Sequence, residues 1–305
     1  MSTLEATAPV PAQGIGGKAK AFKNLVLLEH SVFALPFAYI AALTAMFTVS
    51  KSVHWRQLVI VTIAMVGARS FAMAVNRIID REFDAKNPRT AKRELVTGVL
   101  SVKSAWIGAL VALAVFLGAA ASLNWLVFWL APVAAVPLIV YPYGKRFTNV
   151  PHALLALAQA IGPIGAWMAV TGTWSWDAVV LGVAVGIWIG GFDLIFALQD
   201  IETDRENGLG SVPARWGISV ALTGARIAHV VVTGLFIWFG LLTHAGAFWW
   251  IGVVVVACAF VYEHSLLSPT DLSRLTRAFF TVNGFVGIAL FCFALIDLVV
   301  RGLTG

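Results

Sequence analysis

The chain is a succession of apolar runs, each about as long as a helix must be to cross a lipid bilayer. A spanning helix takes roughly 20 consecutive apolar residues. Nine runs approach that length, at 25–47, 57–76, 104–122, 124–142, 152–171, 178–198, 219–242, 246–262 and 279–300. Only 12% of the 305 residues are charged and 60% are hydrophobic, against about 25% charged in an ordinary soluble domain. The sequence predicts a polytopic, all-α membrane protein. The first run is too long for the apolar stretch of a signal peptide and has no convincing cleavage site, so it is read as a retained helix. Residues 1–17, rich in Ala, Pro, Gly, Ser and Thr, are read as a disordered tail, leaving 18–305 as one nine-helix domain.

The net charge of +6 is a topology signal, not a nucleic-acid footprint, because the cations flank the apolar runs. With the N-terminus in the cytoplasm, sixteen Lys and Arg fall in segments on that side. The opposite side holds Lys51, Arg56 and Arg301, and Arg69 and Arg226 lie inside helices. This bias follows the positive-inside rule and predicts an integral protein of the cytoplasmic membrane. Trp55, Trp125, Trp174, Trp176, Trp249 and Trp250 are expected as an aromatic belt at the far interface. Cys258 and Cys292 are read as small core residues.

Nine of the fifteen carboxylates lie in two windows: Asp80, Glu82, Asp84 and Glu94, then Asp193, Asp200, Glu202, Asp204 and Glu206. Both windows follow an even-numbered helix, so both face the cytoplasm. "DREFDAKN" (80–87) and "DIETDREN" (200–207) share the pattern D-x-E-x-D-x-x-N, 120 residues and four helices apart. That match suggests two parallel four-helix units plus a ninth helix. Each window places two Asp four residues apart, on one face of a helix. Two such carboxylates repel unless a cation intervenes. Hard oxygen donors without a His or Cys cluster favour Mg²⁺, which is usually held by one or two carboxylates plus substrate phosphates. The plain reading is a solvated acidic loop with salt bridges to Arg81, Arg89 or Arg205. Two pairs on one side point instead to metal ions gripping a diphosphate, with Asp80, Asp84, Asp200 and Asp204 as ligands.

Between the windows, "YPYGKRF" (141–147) would bring Tyr141, Lys145 and Arg146 to the same rim, as partners for phosphate. Arg69, Ala72, Met73, Asn76 and Asp80 share a face of the second helix, and an Arg that deep is expected to face a polar cavity. Asp193 precedes Asp200 by seven residues, on the same face. Glu29 is a weaker candidate. His30, His152, His229 and His264 are scattered and are assigned no metal.

These residues resemble the UbiA family of intramembrane prenyltransferases. Its first motif, N-D-x-x-D-x-x-x-D, stands here as Asn76 to Asp84, with Arg77 in place of the usual Asp; its second, D-x-x-x-D, is Asp200 to Asp204. Tyr141 to Lys145 is similar to the Y-x-x-x-K element between them. "NPRTAKREL", "YPYGKRFTN" and "SVPARWG" resemble the menaquinone (futalosine-route) branch, often labelled 4-hydroxybenzoate polyprenyltransferase. The resemblance implies a central cavity opening sideways to lipid under a cytoplasmic cap. It also implies Mg²⁺-dependent transfer from a polyprenyl diphosphate to an aromatic carboxylic acid, 1,4-dihydroxy-6-naphthoate ahead of 4-hydroxybenzoate. Lys145, Arg146 and Tyr141 would then serve the leaving diphosphate. Arg69 and Asn76 would bind substrate, and Asp193 would take the ring proton or orient the acceptor. A transporter is the main rival. Its charges belong near the bilayer midplane, whereas here they gather at one rim. Another intramembrane diphosphate-using transferase, of the CDP-alcohol type, expects D-G-x-x-A-R, which the run after Asp84 does not match.

Overall fold

The computed structural model describes residues 14–26 and 34–305. Among them there is no β-strand, and fourteen α-helices carry the architecture. α1 (Gly14–Val26) precedes the first apolar helix, α2 (Leu35–Val49). Residues 14–17 thus lie in a helix and not in a tail. The run expected at 25–47 belongs to two helices, with 27–33, and so Glu29 and His30, outside the described residues. Pro36 lies in the first turn of α2, where its fixed φ suits helix entry and its missing N–H costs nothing.

The long helices are α3 (Trp55–Ile79), α5 (Val102–Ala121), α6 (Trp125–Val140), α8 (Pro151–Thr171), α9 (Trp176–Phe196), α12 (Ile218–Leu242), α13 (Ala247–Ser265) and α14 (Asn283–Val300). With their short continuations, these eight are long and apolar enough to cross a membrane; α2 is apolar but has only 15 residues. Short helices decorate one end: α4 (Arg81–Lys86), α7 (Gly144–Phe147), α10 (Ile201–Glu206) and α11 (Val212–Trp216). Polar caps fix several starts. The side chains of Ser101, Asn124, Ser175 and Ser211 accept backbone N–H groups of α5, α6, α9 and α11, satisfying donors that a helix leaves orphaned.

Buried side chains form two principal cores. One joins α2, α8, α9, α12, α13 and α14 around Trp188, Phe37 and Phe236; the other joins α1, α3 and α5 around Leu25, Phe71 and Val75. α8 and α9 approach through a small-residue stripe. A Cβ on Gly182 would lie 2.5 Å from the Ala160 carbonyl oxygen, and one on Gly186 2.4 Å from that of Ala156. Close backbone approach of this kind is how helices pack where lipid removes the hydrophobic drive.

Several expectations are corrected. Trp249 is 2% exposed and donates its Nε1–H to the Phe236 carbonyl, so it belongs to the core; Trp55, Trp125, Trp174 and Trp176 face outward. Cys258 and Cys292 are exposed, not core, because each falls on the outer face of its helix. His229 and His264 are not scattered but meet at 3.0 Å, beside a buried chain in which Trp188 donates to Asn283 and Asn283 donates to Glu263. That chain ties α9, α13 and α14 together.

Candidate active site

The two acidic windows adopt the same local structure. Asp80 ends α3 and begins α4; Asp200 ends the 3-10 turn after α9 and begins α10. Their backbones nearly coincide, at φ −91°, ψ 4° and φ −110°, ψ 6°. In each case the second Asp, Asp84 or Asp204, lies in the six-residue helix that follows and is buried. The sequence repeat is therefore a structural repeat at these two junctions.

Each of the four carboxylates has a cation of the chain beside it. Arg146 reaches Asp80 at 3.5 Å, Arg93 pairs with Asp84, Arg89 pairs with Asp200 at 2.7 Å, and Lys145 pairs with Asp204 at 3.2 Å. Arg81 and Arg205 bond to backbone carbonyls instead. The windows are stitched directly to each other. Asn87 and Arg89, from the first, both donate to Asp200 in the second. Asn76 donates to Asp80 from one turn earlier, and Ser211 donates to Asp204. The Asp80 carboxyl is pushed up to about 6, first by burial and then by Asp84, against the pull of Arg146.

The α6–α7 segment delivers Tyr141, Lys145 and Arg146 together. Arg146 also donates to the Ile79 carbonyl and lies over the Phe83 and Tyr143 rings. Gly210 donates its N–H to the Lys145 carbonyl at 2.6 Å, and a Cβ there would sit 2.1 Å from the Thr148 carbonyl. Only glycine lets the 207–211 loop close so tightly over Lys145. Below this rim, α3, α5, α6 and α8 enclose a largely apolar cavity of about 830 Å³, within the roughly 300–1,000 Å³ usual for small-molecule sites. Arg69 and Tyr141 line it, together with Gln159 and Trp174. Val133 and Leu130 of its α6 wall are 63% and 38% exposed. The buried Nε of Arg69 has no hydrogen-bond partner. Tyr141 faces the charges of Arg69, Arg77, Asp80 and Asp193, which joins the cavity to the acidic rim.

Asp193 accepts a 2.6 Å hydrogen bond from His152 and stands within electrostatic reach of Lys145. Arg93 and Ser211 were given no site role from the sequence, Asn87 was read only as the last position of the repeat, and His152 only as one of four scattered histidines. Their roles depend on partners 7 to 113 residues away, and spacing carries no signal for most of these pairings. Among the described residues, no group of three or more His, Cys, Asp or Glu is gathered to hold a metal. The donors are hard oxygens from opposite sides of the rim, a set suited to Mg²⁺ that arrives with a substrate's phosphates and completes its shell from them.

Comparison with known proteins agrees with this geometry. The family model for the UbiA prenyltransferase family matches residues 34–285. A 4-hydroxybenzoate solanesyltransferase from Synechocystis sp. is 32% identical over 232 residues, 75% of this chain and 79% of that protein. The apo structure of a UbiA homolog from Aeropyrum pernix K1 superimposes with a TM-score of 0.80 at 31% identity, covering 88% of this chain and 98% of the other. A UbiA homolog from Archaeoglobus fulgidus bound to GPP and Mg²⁺ shares the fold, at TM-score 0.70 and 19% identity over 92% of this chain and 99% of that one. With the motifs, the fold and these relatives in agreement, the chain belongs to the UbiA prenyltransferase family.

Proposed function

We propose that this prenyltransferase moves a polyprenyl group from a polyprenyl diphosphate to the ring of an aromatic carboxylic acid, at a site on the cytoplasmic side of the cell membrane and with Mg²⁺. One observation carries the reading: two stitched Asp-x-x-x-Asp junctions sit over a largely apolar cavity with a single unpartnered guanidinium nitrogen in its wall. The cavity suits an isoprenoid tail, and the rim suits its anionic head.

Mg²⁺ held by Asp80, Asp84, Asp200 and Asp204 supplies charge neutralisation to the diphosphate. The chain's own cations do the rest. Arg89, Arg93, Lys145 and Arg146 now balance the four carboxylates one for one. Lys145 and Arg146, which stand at this rim beside Asp204 and Asp80, would meet the phosphate oxygens and stabilise the charge that builds as the allylic C–O bond breaks. The electron pair leaves with diphosphate, and the apolar walls keep water from the allylic cation. The ring carbon attacks that cation, and Asp193 receives the proton the ring then loses. Arg69 holds the acceptor carboxylate through its unpartnered face, and Asn76 keeps Asp80 in place.

For the acceptor we favour the fused bicyclic 1,4-dihydroxy-6-naphthoate over 4-hydroxybenzoate, on the resemblance of "NPRTAKREL", "YPYGKRFTN" and "SVPARWG" to the menaquinone branch. The Synechocystis relative is named for 4-hydroxybenzoate, and a hydrophobic slot separates such rings by only about 1–3 kcal/mol, so some product from both is expected. Competition between the two acids, with products identified by mass, decides it. A dominant naphthoate product is expected; prenylation of 4-hydroxybenzoate alone sinks the bicyclic choice while leaving the reaction class.

A further inference from the structure

We propose that His152 is a positioning residue, which holds the Asp193 carboxylate by one oxygen so that the other is left to take the proton released by the acceptor ring; this rests on the prenyl-transfer reading above. His152 opens α8 and is 5% exposed. Its Nδ1 lies 2.6 Å from Asp193 Oδ2, and its Nε2 accepts the backbone N–H of Val212 at 3.4 Å. A ring nitrogen that accepts carries no proton, so the neutral imidazole bears its proton on Nδ1 and donates it to Asp193. Asp193 Oδ2 is thereby fixed as an acceptor. Oδ1 takes no hydrogen bond among the described residues, and the side chain is 26% exposed.

The second bond gives the pair a link to the rim. Val212 belongs to the segment in which Gly210 donates to the Lys145 carbonyl and Ser211 donates to Asp204. One stretch of chain, 210–212, therefore fixes the diphosphate lysine, a metal-facing carboxylate and the tautomer of His152 together. The charged or titratable groups facing Asp193 are His152 from α8 and Tyr141 and Lys145 from the α6–α7 segment; α12 brings His229 against the neighbouring Gly191. In the reaction, the C–O electron pair departs on diphosphate, and a ring π pair then forms the new C–C bond to the allylic cation. The ring C–H pair then restores aromaticity, and its proton goes to Asp193 Oδ1 while His152 keeps its own on Nδ1.

The test compares His152→Ala with His152→Asn, whose amide N–H can stand in for Nδ1–H. With polyprenyl diphosphate, Mg²⁺ and 4-hydroxybenzoate, His152→Ala should lose between about tenfold and a hundredfold in kcat while KM for the diphosphate holds. His152→Asn should recover most of the loss. In ¹⁵N-histidine-labelled protein, the signal absent from His152→Asn should report Nδ1 protonated and Nε2 bare, and should shift in Asp193→Asn. Equal kcat in the two His152 variants, or an Nε2–H tautomer, overturns the proposal alone. Wild-type protein that prenylates no aromatic acid overturns the reading of the reaction, and this proposal with it.

Discussion

At the scale of single residues, Lys145 is the sharpest case: it pairs with Asp204, and the proposed function also gives it the diphosphate. Lys145→Ala should weaken binding of a non-reactive prenyl diphosphate analogue by about 1.5–3 kcal/mol, roughly tenfold to a hundredfold, and leave acceptor binding nearly unchanged. It should also lower the melting temperature of the metal-free protein, since the Asp204 side chain is only 3% exposed and loses its counter-ion. Lys145→Arg should recover part of each, as the two cations differ in reach and geometry. Equal analogue affinity in wild type and Lys145→Ala removes the phosphate contact. Asp80 gives a pH signature. Burial and Asp84 push its carboxyl up to about 6, so near pH 5 it holds a proton that a metal must displace. The Mg²⁺ concentration for half-maximal activity should therefore rise as pH falls from 7.5 to 5.5, with excess Mg²⁺ restoring the rate; identical half-saturation at both values speaks against Asp80 as a ligand. Asp80, Asp84, Asp200 and Asp204 were legible because their repeat is local, visible within nine residues each time. Arg93, Asn87 and His152 were not, because nothing within one turn of any of them marks its distant partner.

Elements carry the next level of argument, and here the long helices were plain in the sequence while their ends were not. Length and apolarity alone set α3, α5, α6, α8, α9 and α12 to α14. In the first run, α1 ends at Val26 and α2 starts at Leu35 where one helix was expected, and the polar Glu29, His30 and Ser31 between them are the signal that a reading by apolar length passed over. The α8–α9 seam is a more specific consequence of sequence. Gly182, Gly186 and Gly190 recur every four residues and place the α9 backbone against Ala160, Ala156 and the His152 carbonyl. Any Cβ at Gly186 meets backbone, which cannot swing aside. Gly186→Ala should therefore cost about 1–3 kcal/mol through overpacking, read as a lower melting temperature in detergent. It should also reduce turnover, because the seam ends at His152 and Asp193. Gly118 has open space at its Cβ position, so Gly118→Ala is the matched control and should be close to neutral. Equal effects at the two positions contradict the close approach.

For the whole molecule, a largely apolar cavity of about 830 Å³ lies under a charged rim at one end of the helices. The orientation is open to direct test. Single cysteines at Ala85, Asn149 and Glu206, all exposed on the rim, in a background with Cys258 and Cys292 replaced, should resist an impermeant thiol reagent in intact cells and react once cells are opened. Thr173→Cys, at the other end, should show the reverse, and labelling of all three rim positions from outside inverts the topology. The central claim is the reaction itself. Purified wild-type protein is given a polyprenyl diphosphate and both aromatic acids, with Mg²⁺ or with EDTA, beside Asp80→Asn and Asp200→Asn, and products are identified by mass. The account expects a prenylated aromatic acid and free diphosphate only with wild type and Mg²⁺. Each 1.36 kcal/mol of lost transition-state stabilisation is tenfold in rate, so both folded variants should fall by orders of magnitude. Prenylated product at the wild-type rate from both variants, or no prenylated acid from folded wild-type protein with Mg²⁺, contradicts it.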